Sequence, residues 1–145
     1  MLETKDSHLK GAIGELVAWK YLIKHFLVGG VAPEWTVPTN LDRSYLTKQQ
    51  RRYLKMLYYR SEKDIHRWDL LAMPVEDRDE KAEERRVYLV DVKTGVPKRG
   101  PWTLRDRVYK NYREALRAKS SGFIPIIVKV ELADDWTFNI SSKEL

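Results

Sequence analysis

The run Val87-Tyr88-Leu89-Val90-Asp91-Val92-Lys93 constrains this chain more than any other stretch. Its apolar, β-branched and aromatic residues read as a strand, and successive side chains of a strand point to opposite faces. Asp91 and Lys93 therefore share one face, and Val90 and Val92 the other. A carboxylate and an ammonium at the end of a largely apolar strand are costly to bury unless something uses them. A surface ion pair is the plain use. A divalent cation on the carboxylate, with a phosphate beside the ammonium, is the chemical one. Asp-x-Lys by itself favours the ion pair, so the rest of the chain must decide.

At 145 residues the chain is read as one domain with a single sizeable core. No apolar run approaches the roughly 18 residues of a membrane-spanning helix, and Met1 to Asp6 lead into an amphipathic helix instead of a secretory signal. The absence of cysteine excludes disulfides and thiolate zinc sites and fits a cytoplasmic location. A net charge of +6 points to a polyanionic partner, nucleic acid being the usual one. Abundant Lys, Arg and Glu also fits a thermophilic source.

Along the chain, Ser7 to Leu27 reads as a mostly buried helix, with Asp6 or Ser7 as its N-cap and Gly29-Gly30 as its stop. An irregular connection over Val31 to Ser44 follows. Thr47-Lys48-Gln49-Gln50 has the form of a capping box, which opens an extra basic helix over about 47–60. His66 to Val75 is strand-like, with Trp68, Leu70 and Ala72 on one face and Asp69, Leu71 and Met73 on the other. The mixed-charge run Glu76 to Arg86 reads as a solvated connection. Glycines and prolines make Thr94 to Trp102 a loop. A helix follows over Thr103 to Ser120, then a strand over Phe123 to Leu132 and a hairpin partner over Trp136 to Ile140. The fold class expected is mixed α/β.

Three acidic residues stand where apolar ones are easier to explain. Glu15 lies in the apolar arc of the first helix, and Asp69 and Asp91 interrupt successive strands. Each alone is explained by a structural ion pair, with Lys20 or Lys93 as the cation. Together, with Lys93 beside the last, they fit a shared metal site. Phosphodiester hydrolysis needs an activated water and stabilisation of charge at phosphorus. Mg²⁺ takes hard oxygen ligands and keeps several waters, so two or three carboxylates suit it. Lys93 is placed to orient the water or neutralise charge on the phosphoryl oxygens. Hairpin pairing sets Asp69 and Asp91 on adjacent strands if the register agrees.

The segments Lys10-Gly11-Ala12-Ile13-Gly14-Glu15-Leu16-Val17-Ala18, Trp68-Asp69-Leu70-Leu71-Ala72 and Tyr88-Leu89-Val90-Asp91-Val92-Lys93-Thr94 resemble the PD-(D/E)XK nuclease superfamily. They are most similar to its archaeal Holliday-junction-resolvase-like branch. The resemblance implies a restriction-endonuclease-like α-β-β-β-α-β core with a mixed sheet, dependence on Mg²⁺ or Mn²⁺, action on DNA in recombination or repair, and a homodimer. It makes Glu15, Asp69, Asp91 and Lys93 the catalytic set, with Glu15, Asp69, Asp91 and the Val92 carbonyl as metal ligands. Asp91 replaces the more usual Glu of resolvases, and the interval from Asp69 to Asp91 is longer than in compact ones.

Two functions follow. In the first, the protein is a metal-dependent DNA endonuclease whose Lys10, Arg51, Arg52, Lys55, Lys98, Arg99, Lys110 and Arg113 grip phosphates. For those on helices, a solvated helix face is the plain alternative. In the second, the protein binds nucleic acid without cutting it and keeps only the fold. RNA stays open as a substrate. His8, His25 and His66 lack zinc-ligand spacing.

Overall fold

Phe26-Leu27-Val28 holds the first departure from the sequence reading. A computed structural model describes residues 7–31, 39–59, 68–95, 105–133, 135 and 137–145, the side chains of 7–10, 58, 59 and 105–112 apart. In it α1 spans Ser7–Leu22, and Phe26–Gly30 forms a strand, β1. The helical spacing of Ile23 and Leu27 is overridden because β1 pairs antiparallel with β2, Leu70–Pro74. That ladder buries Leu27 and Val28 on opposite faces, in two different apolar clusters.

The remaining elements are α2 (Lys48–Tyr59), β3 (Tyr88–Gly95), α3 (Arg105–Ser120), β4 (Ile124–Leu132) and β5 (Phe138–Glu144), with short 3₁₀ turns between them. The five strands form one sheet in the order β1-β2-β3-β4-β5. Only β3 and β4 run parallel. A parallel neighbour requires a crossover, and α3 supplies it. The protein is thus an α/β protein with a mixed sheet flanked by helices. Among the described residues, no helix is long and apolar enough to cross a membrane.

Strand alternation divides the core into two layers. Leu70, Ala72, Val90, Val128 and Val130 meet Ala18 and Leu22 of α1 on one face. Leu71, Met73 and Leu89 meet Tyr53 and Leu54 of α2 and Ala118 of α3 on the other. Trp68 joins this second cluster and not Leu70 and Ala72, because it precedes β2 and escapes its alternation. The first helix is also less buried than its composition predicts. Leu16, Tyr21 and Ile23 are exposed, and the contact stripe narrows to Gly14, Ala18 and Leu22.

The capping box at α2 forms as expected. Thr47 N donates to Gln50 Oε1 at 2.8 Å, and Gln50 N donates to Thr47 Oγ1 at 3.1 Å. The Gln50 amide also donates to the Gly122 carbonyl at 2.8 Å, fastening α2 to the end of α3. There Gly122, at φ 90°, takes the left-handed conformation that stops the helix. The connection over Glu76 to Arg86 is not simply solvated. Asp77 is buried and accepts from Arg86 N, Nε and Nη2 at 2.8, 3.0 and 2.9 Å, closing the loop on itself. The expected N-cap at Asp6, most of the connection after Val31, His66, and the loop beyond Gly95 lie outside the described residues.

Candidate active site

The register of β2 on β3 pairs Leu70 with Val90. Asp69 N donates to the carbonyl of that same Val90 at 2.8 Å, so Asp69 sits just beyond the end of the regular ladder. Asp69 Oδ2 accepts from Val92 N at 2.7 Å. A strand N–H points along the sheet plane, so the carboxylate that meets it lies at the end of β2, between the two helical layers. From there it reaches groups on both faces. Its charge acts on Glu15 of α1 on one side, and the charge of Asp91 acts on it from the other.

Electrostatics records this crowding. Burial, then the charge of Asp69 and the hydrogen bond to it, push the Glu15 carboxyl up to about 7. Burial likewise raises Asp69, to about 7; the Val92 N–H opposes this, the Asp91 charge and hydrogen bond add to it, and Lys93 opposes it more weakly. Burial and a neighbouring carboxylate thus hold both Glu15 and Asp69 toward the protonated form. Lys93 Nζ lies 3.3 Å from Asp91 Oδ2, and Asp91 is 2% exposed. The ion pair considered from sequence therefore exists, but it is not a surface pair.

Glu15 owes its position to Gly14. A Cβ at residue 14 would stand 1.7 Å from Thr94 Oγ1, 2.9 Å from Thr94 Cβ and 3.0 Å from Cγ2. Only a glycine lets α1 lie this close to β3, and the next residue is Glu15. Asp69 is held through Trp68. The Trp68 indole N–H donates to Tyr53 Oη at 3.1 Å, and the Tyr53 hydroxyl donates to Glu114 Oε2 at 3.2 Å. Arg117 Nη1 donates to Glu114 Oε1 at 2.7 Å. Tyr53, Trp68 and Glu114 are buried, so α2 and α3 brace the residue preceding Asp69. Nothing in the spacing of Tyr53 and Glu114, 61 residues apart, announces this contact.

Hard oxygen donors are the right chemistry for Mg²⁺ or Mn²⁺. Among the described residues, no three Asp, Glu or His side chains form a ready cage for a metal ion. Mg²⁺ needs only one or two carboxylates beside its waters, so the linked pairs Glu15–Asp69 and Asp69–Asp91 fit it in type and number.

Of the basic residues expected to grip phosphates, Arg51, Arg52 and Lys55 are exposed on α2, and Arg113 is exposed on α3. Arg51 is partly engaged, donating from Nη1 to the Leu46 carbonyl at 2.8 Å. Lys10 and Lys110 lie within α1 and α3. Lys98 and Arg99 lie outside the described residues. Comparison with protein-family models, curated proteins and solved structures finds no match to this chain.

Proposed function

We propose that the protein is a metal-dependent endonuclease of the restriction-endonuclease-like type, hydrolysing phosphodiester bonds in DNA. One observation carries the reading: Asp69 interacts electrostatically with both Glu15 and Asp91, and the Lys93 ammonium lies 3.3 Å from Asp91. Four residues from three separate elements meet at one end of the sheet, and no requirement of folding calls for them. Buried like-charged carboxyls destabilise a fold, whereas a cation offsets that cost. The element order also accommodates the proposal: α1, β1, β2, β3, α3 and β4 supply an α-β-β-β-α-β core, with α2 and β5 added.

A bound Mg²⁺ or Mn²⁺ supplies Lewis acidity toward the phosphate and lowers the pKa of its water. Glu15, Asp69 and Asp91 would hold it, with the Val92 carbonyl as the further oxygen. Lys93, released from Asp91, neutralises charge at the phosphoryl oxygens. The exposed Arg52 and Lys55 take the nucleic-acid backbone as point charges without reading bases. Cutting a four-way junction needs two sites, so the junction-specific form of the proposal includes a homodimer.

The test compares junction, flap, single-stranded and duplex DNA with Mg²⁺ and with EDTA. Wild-type protein is expected to cut at least one of them with Mg²⁺ only. Asp91→Asn is expected to abolish cutting and keep DNA binding. Undiminished cutting by that variant defeats the assignment, and DNA binding with no cutting by wild type favours a non-catalytic binder.

A further inference from the structure

We infer that β5 is a dimerisation edge: two copies of this chain pair their β5 strands antiparallel about Ser141 and join their sheets into one of ten strands. Junction cutting, as proposed above, needs a dimer, yet the sheet edge points to one without reference to the candidate active site.

The two edges of the sheet differ. β1 is closed: Val28 N donates to Asn40 Oδ1 at 2.8 Å, and the Val28 carbonyl accepts from Asn40 N and Leu41 N at 3.0 and 3.3 Å. β5 is open. It is last in the strand order, and among the described residues no strand lies beyond it. Six of its seven residues are exposed, Phe138 at 51%. Edges of this kind are usually blunted by a proline, a bulge or charged side chains. β5 contains no proline, pairs with β4 without interruption, and carries its two charges only at the end, on Lys143 and Glu144.

Antiparallel pairing sends the N–H and C=O groups of alternate residues to opposite sides of a strand. Ala133 N donates to the Thr137 carbonyl and Leu145 N to the Pro125 carbonyl, both at 2.9 Å. Odd positions of β5 therefore face β4, and Phe138, Ile140, Ser142 and Glu144 point their backbone groups outward. A second β5 turned about Ser141 sets Ile140 against Ser142 and Phe138 against Glu144, each a hydrogen-bonded pair. Every outward donor and acceptor of the strand is then used. Ser141 meets its own copy as a non-hydrogen-bonded pair.

Charge selects the occupant. The chain carries a net +6, so two copies repel except through a neutral surface. β5 is neutral, with one Lys and one Glu. In this register Lys143 lies opposite Asn139 of the second copy and Glu144 opposite its Phe138, so no like charges meet. A nucleic acid finds no cationic cluster on this strand. Ile140, already packed against the apolar cluster on the α1 face, gains its own copy as a diagonal neighbour.

The pairing also places the two candidate sites. Ser141 is the register partner of Lys129 in β4, and Lys129 that of Lys93 in β3. The axis is therefore level with Lys93, and the two Lys93 backbones stand five strand spacings apart, about 24 Å. Two sites side by side in one sheet suit a substrate cut in two strands.

The chain has no cysteine, so an introduced thiol reports without background. Sedimentation of the wild type over a concentration series should show a monomer–dimer equilibrium. Ser141→Cys should form a disulfide-linked dimer under mild oxidation, because a non-hydrogen-bonded pair holds its Cα atoms about 4.5 Å apart, within disulfide reach. Asn139→Cys, on the same face of the same strand, should not, since its two copies lie four residues apart along the strands, about 14 Å. Ser142→Pro removes an outward N–H that β4 does not use, which an edge strand tolerates. By symmetry the dimer loses two hydrogen bonds, each worth a factor of about five, so its Kd should rise roughly thirtyfold.

A wild type that stays monomeric at its highest soluble concentration overturns the inference. So does a dimer that Ser141→Cys fails to link, that Asn139→Cys links equally well, or that Ser142→Pro leaves as tight as before. If Ser142→Pro does not fold, Ile140→Lys takes its place, since it sets two ammonium groups near the axis; an undiminished dimer again overturns the inference. None of these readouts involves cleavage, so failure of the nuclease reading leaves them intact.

Discussion

Replacing Gly14 by alanine tests how α1 delivers Glu15. The added Cβ would lie 1.7 Å from Thr94 Oγ1, but that oxygen can rotate away. Thr94 Cβ cannot. It would stand at 2.9 Å where ordinary contact begins near 3.4 Å, so the helix must retreat by about 0.5 Å (3.4 − 2.9). Overpacking of this kind costs about 1–3 kcal/mol. Alanine returns about 1 kcal/mol through its better helix propensity. The net effect is a destabilisation of about 0–2 kcal/mol, read as a lower urea midpoint. Activity should suffer more. A misplacement of about 1 Å in a catalytic group can cost 10²-fold, so half that shift of Glu15 predicts roughly a tenfold loss of Mg²⁺-dependent cleavage. Gly11 is the control on the same helix, because a Cβ there meets no described atom within 4 Å. Gly11→Ala should stabilise the protein by up to about 1 kcal/mol and leave cleavage alone. Thr94→Ala in the Gly14→Ala background should recover part of both losses. If Gly14→Ala proves as stable and as active as Gly11→Ala, the close approach of α1 and β3 does not position Glu15, and the reasoning fails.

Two further outcomes follow from the same site. Glu15 and Asp69 have their carboxyl groups raised to about 7, so the folded protein holds protons that the unfolded chain has released. Stability without metal should therefore fall as pH rises from about 4 through 7, then level off, and Mg²⁺ should raise the melting temperature more at pH 8 than at pH 5. A metal-free melting temperature that climbs over this range would contradict the carboxyl cluster. Tyr53→Phe removes the hydroxyl that accepts from Trp68 and donates to Glu114, so each of these buried residues loses one hydrogen bond. A loss of about 1–3 kcal/mol in chemical unfolding is expected, accompanied by weaker Mg²⁺ binding in calorimetry, since Trp68 adjoins Asp69.

Sequence by itself determined the elements whose signal is local. The capping box at Thr47 and Gln50, the α3 stop at Gly122 and the alternation of β3 are matters of neighbouring residues, and each was legible. So were the acidic interruptions at Glu15, Asp69 and Asp91, because a charge inside an apolar pattern is conspicuous without knowledge of its partners. Local signals failed where pairing decides. Phe26 and Leu27 continue the apolar spacing of α1, yet β2 takes them into the sheet, where Leu27 and Val28 are buried on opposite faces. Asp77 reads as one charge in a solvated run until Arg86 folds back upon it.

Tertiary structure alone decided how the site is assembled. Asp69 becomes the link between Glu15 and Asp91 because its carboxylate meets the Val92 N–H in the sheet plane, at a strand end open to both faces. Tyr53 braces Trp68 across 15 residues of chain and is itself held by Glu114 across 61, and no spacing rule reaches so far. The backbone of Lys129 pairs with that of Lys93 only through the parallel register of β3 and β4. A lysine within an apolar strand already stands out in sequence, but its neighbour is set by the crossover that joins the strands.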